Sequence, residues 1–102
     1  MLFFRKFFRT MSEITYPFGK TVPTRDAAII VPDVAWLRMP LPYVLNHVNI
    51  WLIKDSDGWC AVDTGATCAV GMQVWENSLR TYRLVKQVVT HAHPDHAGMA
   101  GW

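Results

Sequence analysis

The stretch Thr90-His91-Ala92-His93-Pro94-Asp95-His96-Ala97-Gly98 decides the reading of this chain. Three histidines and an aspartate fall within six residues, directly after an apolar run that includes Val88 and Val89. Imidazole is a borderline ligand and carboxylate a hard one. Together they suit Zn2+, with Fe or Mn as alternatives. A single histidine is usually a surface group or a hydrogen-bonded core residue. Three of the chain's four histidines, close-spaced with an aspartate, are hard to place on that account. A loop leaving a strand turns His91 and His93 toward one point, and Asp95 and His96 reach a second point close by. Two neighbouring divalent ions lower the pKa of water and clamp the entering and leaving oxygens of a hydrolysis.

The elements around this cluster follow from pattern. Residues 84–90 are expected as a strand whose valines suit a mostly buried position. Pro94-Asp95 reads as the first turn of a helix, with proline at an early helical position and aspartate near the positive end of the dipole. Upstream, residues 69–83 fit a helix. Val70, Val74, Leu79 and Tyr82, with Met72 and Trp75 nearby, recur at steps of three to five, opposite Gln73, Glu76, Asn77 and Arg80. Residues 64–67 form a loop. Residues 47–54 are β-branched and aromatic and predict a strand. Asp55-Ser56-Asp57-Gly58 is a tight-turn sequence, its glycine available for positive φ, and residues 59–63 return as the hairpin partner.

Residues 34–39 predict a further strand, stopped by Pro40 and Pro42. Pro17, Gly19, Pro23 and Pro32 make residues 13–33 an irregular lead-in with one short strand around Ala28–Val31. The order is strand, β-hairpin, helix, strand, metal loop, helix start. That is a mixed α/β (α+β) layout with the ligands at a strand end.

The bulk composition narrows the function classes. The 102 residues make at most one domain, and 51% hydrophobic with 18% charged is a globular composition. Arg5, Lys6 and Arg9 supply more than the whole net charge of +2, so the body is near neutral and no basic stripe remains for nucleic acid. Residues 1–12 are basic and Phe-rich. Their charges break any secretory apolar region, and they read as a disordered extension or as sequence upstream of a start at Met11. No run of roughly 20 apolar residues offers a membrane span. Cys60, in an apolar strand, reads as a small buried hydrophobe, and Cys68 precedes a helix. Both are expected as free thiols, which suits a cytoplasmic location.

The nine residues 90–98 resemble the T-H-x-H-x-D-H-x-G signature of the metallo-β-lactamase-fold hydrolases at every position. Val62-Asp63-Thr64-Gly65 is similar to the family's strand-ending V-D-T-G, and the hairpin, helix and strand occur in the same order. The resemblance covers about residues 34–102. It implies the N-terminal half of an αββα sandwich with metal at the edge of its sheets. By position, His91 and His93 would ligate a first metal, and Asp95 and His96 a second. Asp95 would also orient the attacking water and help protonate the leaving group. Asp63 would hold the motif loop by hydrogen bonds without ligating. The implied cofactor is zinc, two ions in a complete site. The implied substrate is a small ester, thioester or lactone. His96 stands where the commonest class of true β-lactamases has arginine, which turns the resemblance toward the broad two-metal hydrolases. Gly98-Met99 replaces the Gly-Gly of many relatives and weakens a glyoxalase-II-like assignment.

The family completes its site with a further histidine for each metal and a bridging carboxylate. The remaining histidine, His47, precedes the motif and reads as a hairpin-strand residue with a structural hydrogen bond. Residues 13–102 are therefore expected as an incomplete domain, truncated, with an apolar face uncovered and a marginal core. Weak zinc binding and little hydrolysis follow. The alternative is a non-enzymatic remnant that binds metal or a partner through its exposed apolar face. A barrel enzyme with an H-x-H pair at a strand end is disfavoured by Asp95-His96 and by the V-D-T-G segment.

Overall fold

In residues 34–40, side chains alternate between buried and half-buried, the period-2 signature of a strand with one face on a core. The computed structural model describes residues 27–102. The readings made on residues 1–12, and most of those on the lead-in, lie outside them. Five strands form one sheet in the order β1-β2-β3-β4-β5: β1 is Ala28–Val31, β2 Val34–Pro40, β3 His47–Asp55, β4 Gly58–Val62 and β5 Leu84–Val88. The first four are antiparallel neighbours, and β5 lies parallel to β4. A parallel pair needs a crossover, and helix α1, Ala69–Leu79, supplies it. The one-turn helix α2, Pro94–Ala97, follows β5.

The core lies on one face of the sheet. Ala35, Leu37 and Met39 of β2 join Val48, Ile50 and Leu52 of β3 and Ala61 of β4 beneath Val74 and Trp75 of α1, and Met99 closes the end. On the other face Trp36 and Trp51 stack at 6.3 Å between centroids, and Trp36 Nε1 donates to Asn49 Oδ1 at 2.9 Å.

The expected elements recur, with β4 and β5 ending at Val62 and Val88 rather than at residues 63 and 90, and with further differences that each have a physical reason. First, α1 ends at Leu79, short of residue 83. The N–H groups of Thr81 and Tyr82 fold back on the Ser78 carbonyl, and the Arg83 carbonyl must accept the Trp59 N–H at 2.8 Å. The chain is therefore extended before β5 begins. Second, the buried face of α1 is Gly71, Val74, Trp75 and Ser78, whereas Val70 and Leu79 are exposed. Gly71 admits the Met99 side chain, whose Cε would lie 3.0 Å from a Cβ there.

Third, Gly58 has no positive φ. Its role is close approach, since a Cβ would meet the Arg83 carbonyl oxygen at 2.5 Å. Fourth, β5 is exposed along most of its length rather than buried. Among the described residues it is an edge strand, and α1 packs over β2 rather than over it. Cys60 is likewise half-buried and not fully inside. Both cysteines are free. Cys68 caps α1, its Sγ accepting from the Gly71 N–H at 3.4 Å. Among the described residues no helix is long and apolar enough to cross a membrane.

Candidate metal centre

The site is built where β4 and β5 end side by side. Asp63 follows β4 directly, and its N–H still bonds the Val88 carbonyl at 2.7 Å, one step beyond the strand. The chain then turns: Asp63 has φ 67° and Gly65 φ 88°. Aspartate is among the few non-glycine residues that enter this left-handed region readily. A Cβ on Gly65 would lie 2.5 Å from Met39 Cγ, so that glycine also admits the core.

The turn places the Asp63 carboxylate, only 5% exposed, under the loop that leaves β5. Oδ1 accepts from the Thr90 N–H at 2.7 Å. The Thr90 hydroxyl lies 2.9 Å from both carboxylate oxygens. His96 Nδ1 lies 2.8 Å from Oδ2. Burial by itself raises the Asp63 pKa. The hydrogen bonds from the Thr90 N–H, the His96 ring and the Thr90 hydroxyl, with the His96 charge, outweigh it and bring the carboxyl below its ordinary 3.8.

Thr64 is a second clasp. Its N–H donates to the His96 carbonyl at 2.8 Å, its hydroxyl accepts from the Met99 N–H at 3.1 Å, and its carbonyl accepts from Trp75 Nε1 at 2.7 Å. One residue thus joins α1, α2 and the β4 exit. Thr67 Oγ1 donates to the Gly98 carbonyl at 2.6 Å. A Cβ on Gly98 would meet Pro94 O at 2.5 Å and Thr67 N at 2.9 Å, so the contact between the two loops requires glycine. Met99, next to it, anchors the motif in the core at 4% exposed. Thr64 and Thr90 were quoted as motif positions and Met99 as a departure from Gly-Gly, but the sequence carried no sign of the bonds and contacts they make here.

The expected site residues come together on this one patch. The His91 ring lies 4.8 Å from that of His93 and 4.1 Å from that of His96. Asp95, in the first turn of α2, places Oδ2 3.4 Å from His96 Nε2. His91 and His93 are exposed, and Asp95 and His96 are half-buried. His47 stands apart at the start of β3. Its Nδ1 lies 3.2 Å from Arg38 Nη2 and 2.9 Å from Asn46 Oδ1, the structural role its position suggested. Burial first, and the Arg38 charge second, lower its pKa from 6.5.

The chemistry of these donors fits a divalent metal. With its Nδ1 hydrogen committed to Asp63, His96 presents an Nε2 lone pair to the Asp95 carboxylate. Two acceptors facing each other are reconciled by a shared cation, either a proton or a metal ion. Their positions do not form a closed cage. Among the described residues no group of three or more His, Cys, Asp or Glu side chains is placed to hold a metal ion.

The fold and the loop define a class: a mixed sheet that carries a histidine–aspartate cluster where a parallel strand ends. The chain belongs to the metallo-beta-lactamase superfamily, whose pattern matches residues 43–102. It is similar to a solved beta-lactamase domain protein from Burkholderia ambifaria, 41% identical with a TM-score of 0.78 over 85% of this chain. A metallo-beta-lactamase family protein from Thermus thermophilus is 26% identical with a TM-score of 0.63 over 72% of this chain. The chain spans 30% and 26% of those two proteins, and its five-stranded sheet with two helices matches part of their fold. No curated protein matches it.

Proposed function

We propose that the chain supplies the His91–His96 ligand cluster of a zinc-dependent hydrolase acting on a small ester, thioester or lactone, and that these 102 residues alone turn over little substrate. The observation that carries this reading is the Asp63 carboxylate, which draws Thr90 and His96 to within 2.7–2.9 Å and so packs the loop's imidazoles together. A bound zinc ion supplies Lewis-acid polarisation of a carbonyl and of water. His91 and His93 are assigned to one ion, Asp95 and His96 to a second, and Asp63 to holding the loop. Asp95 is assigned to orient the attacking water and to carry a proton to the leaving group at its carboxylate. The near-neutral body supports a small-molecule substrate over nucleic acid, and free thiols support a cytoplasmic location.

The test is metal analysis and calorimetry on the purified chain, with p-nitrophenyl acetate and a thioester as substrates. Weak zinc binding that disappears in the His91→Ala/His93→Ala variant is expected, with hydrolysis near background. Chelator-sensitive turnover by the chain alone would overturn the inactivity. Unchanged zinc binding in the double variant would overturn the ligand assignment.

A second reading, a non-enzymatic product that binds a partner, is favoured by one observation. Val85, Val88 and Val89 are exposed along and just beyond β5. Strand-specific association without zinc dependence would support it.

A further inference from the structure

The Thr90 hydroxyl sits between the Asp63 carboxylate and the His91 ring. Oγ1 is 2.9 Å from each carboxylate oxygen and 2.8 Å from His91 Nδ1. A hydroxyl carries one proton, and a carboxylate offers none. If the Thr90 proton went to His91, its oxygen would face two anionic oxygens at 2.9 Å with no hydrogen between them. The proton therefore goes to Asp63, and a Thr90 lone pair is left for His91. For His91 to bond that lone pair, its Nδ1 must carry a hydrogen. His96 Nδ1, 2.8 Å from Asp63 Oδ2, meets the same requirement directly.

We propose that Thr90 is a positioning residue that carries the demand of one buried carboxylate to a second histidine, so that Asp63 fixes the tautomers of both His91 and His96 with Nε2 as the free lone pair. Free imidazole divides between its two neutral forms, and only the form with Nδ1–H leaves Nε2 able to ligate. The chain from His91 Nδ1–H to Thr90 Oγ1–H to Asp63, met from the other side by His96 Nδ1–H, therefore prepares one ligand from each assigned pair. His93 makes no such bond among the described residues and lies outside the chain of donors.

The consequence for zinc rests on the function proposed above, whereas the tautomers do not. Histidine 15N labelling with long-range 1H–15N correlation, under alkaline conditions where imidazoles are neutral, reads each ring directly. Wild-type His91 and His96 are expected to show a protonated Nδ1 and a lone-pair Nε2. In Thr90→Val, His91 should relax to a mixture and His96 should keep its form. Thr90→Ser should restore His91. A wild-type His91 with Nε2–H, or a Thr90→Val His91 that stays wholly Nδ1–H, overturns the proposal. The first of these needs no variant to fold. In parallel, zinc affinity should fall about ten-fold in Thr90→Val and recover in Thr90→Ser. A tautomer change with no change in affinity would leave the positioning chain standing and count against the zinc reading.

Discussion

Asp63 shows how much one residue is asked to do at the smallest scale. It accepts φ 67°, ends a strand and gathers three donors. Asparagine tolerates the same backbone, so Asp63→Asn isolates the carboxylate from the turn. Charge-assisted bonds in a buried place are worth about 1.5–3 kcal/mol, and Asp63→Asn should lose stability on that order in a denaturant titration. Gly98 poses a purely steric question. The Cβ of an alanine would overlap Pro94 O at 2.5 Å and crowd Thr67 N, both backbone atoms that have little room to move. Gly98→Ala should cost about 1–3 kcal/mol and loosen the loop that carries the histidines. A melting midpoint equal to wild type would show that the two loops have slack.

At the scale of elements, Trp75 is the link between helix and site. Its Nε1 donates to the Thr64 carbonyl at 2.7 Å from within the core. Trp75→Phe keeps a ring there but leaves a buried carbonyl unpaired, and should destabilise by about 1–3 kcal/mol in a thermal melt. The β3–β4 turn carries a pH-dependent tie to the edge strand. Lys86 reaches Asp55 at 2.7 Å, and its hydrogen bond, the Ser56 N–H and the Lys86 charge hold the Asp55 carboxyl below its ordinary 3.8. A depressed carboxyl stabilises above its unfolded pKa and loses that contribution as pH falls through the folded one. Asp55→Asn should therefore melt slightly below wild type at neutral pH, and the two should converge below pH 3.8. Added salt should shrink the neutral difference, since the pair is on the surface.

The hairpin and the histidine cluster were legible in the sequence because both are local. Residues 47–54 are β-branched and aromatic and run into the tight-turn sequence Asp55-Ser56-Asp57-Gly58, and the ligand types lie within six residues of one another. The end of α1 was not legible, because it answers to an Arg83 carbonyl whose partner is Trp59 on another strand. Thr90 and Thr64 were visible as motif positions, but the bonds they make were not, for the same reason. Their partners, Asp63 and His96, are 27 and 32 residues away. The valines of β5 misled in the opposite way. A valine run reads alike whether or not anything covers it.

At the scale of the whole molecule, β5 is the consequential element. Among the described residues it is the last strand of the sheet and pairs with β4 only. Edge strands are usually guarded by proline or by an inward-pointing lysine. β1, at the other edge, is four residues long and is followed by Pro32. On β5 the one lysine, Lys86, is drawn back to Asp55 and its charge is compensated. Val88 is 51% exposed on one face of the strand, and a groove of about 440 Å³, lined by Trp75, Leu79, Val85, Met99 and Trp102, opens toward α1. Unpaired backbone beside exposed apolar side chains favours strand addition by a second copy. Sedimentation velocity across a concentration series should therefore show reversible self-association. Val88→Lys places an uncompensated charge on the edge and removes half-exposed apolar surface worth on the order of 1 kcal/mol, which lowers the association constant by roughly five-fold or more. Asp55→Asn frees Lys86 to guard the strand and should act in the same direction without touching an apolar residue. If both variants associate as wild type does, the edge of β5 is not the surface that copies of this chain share.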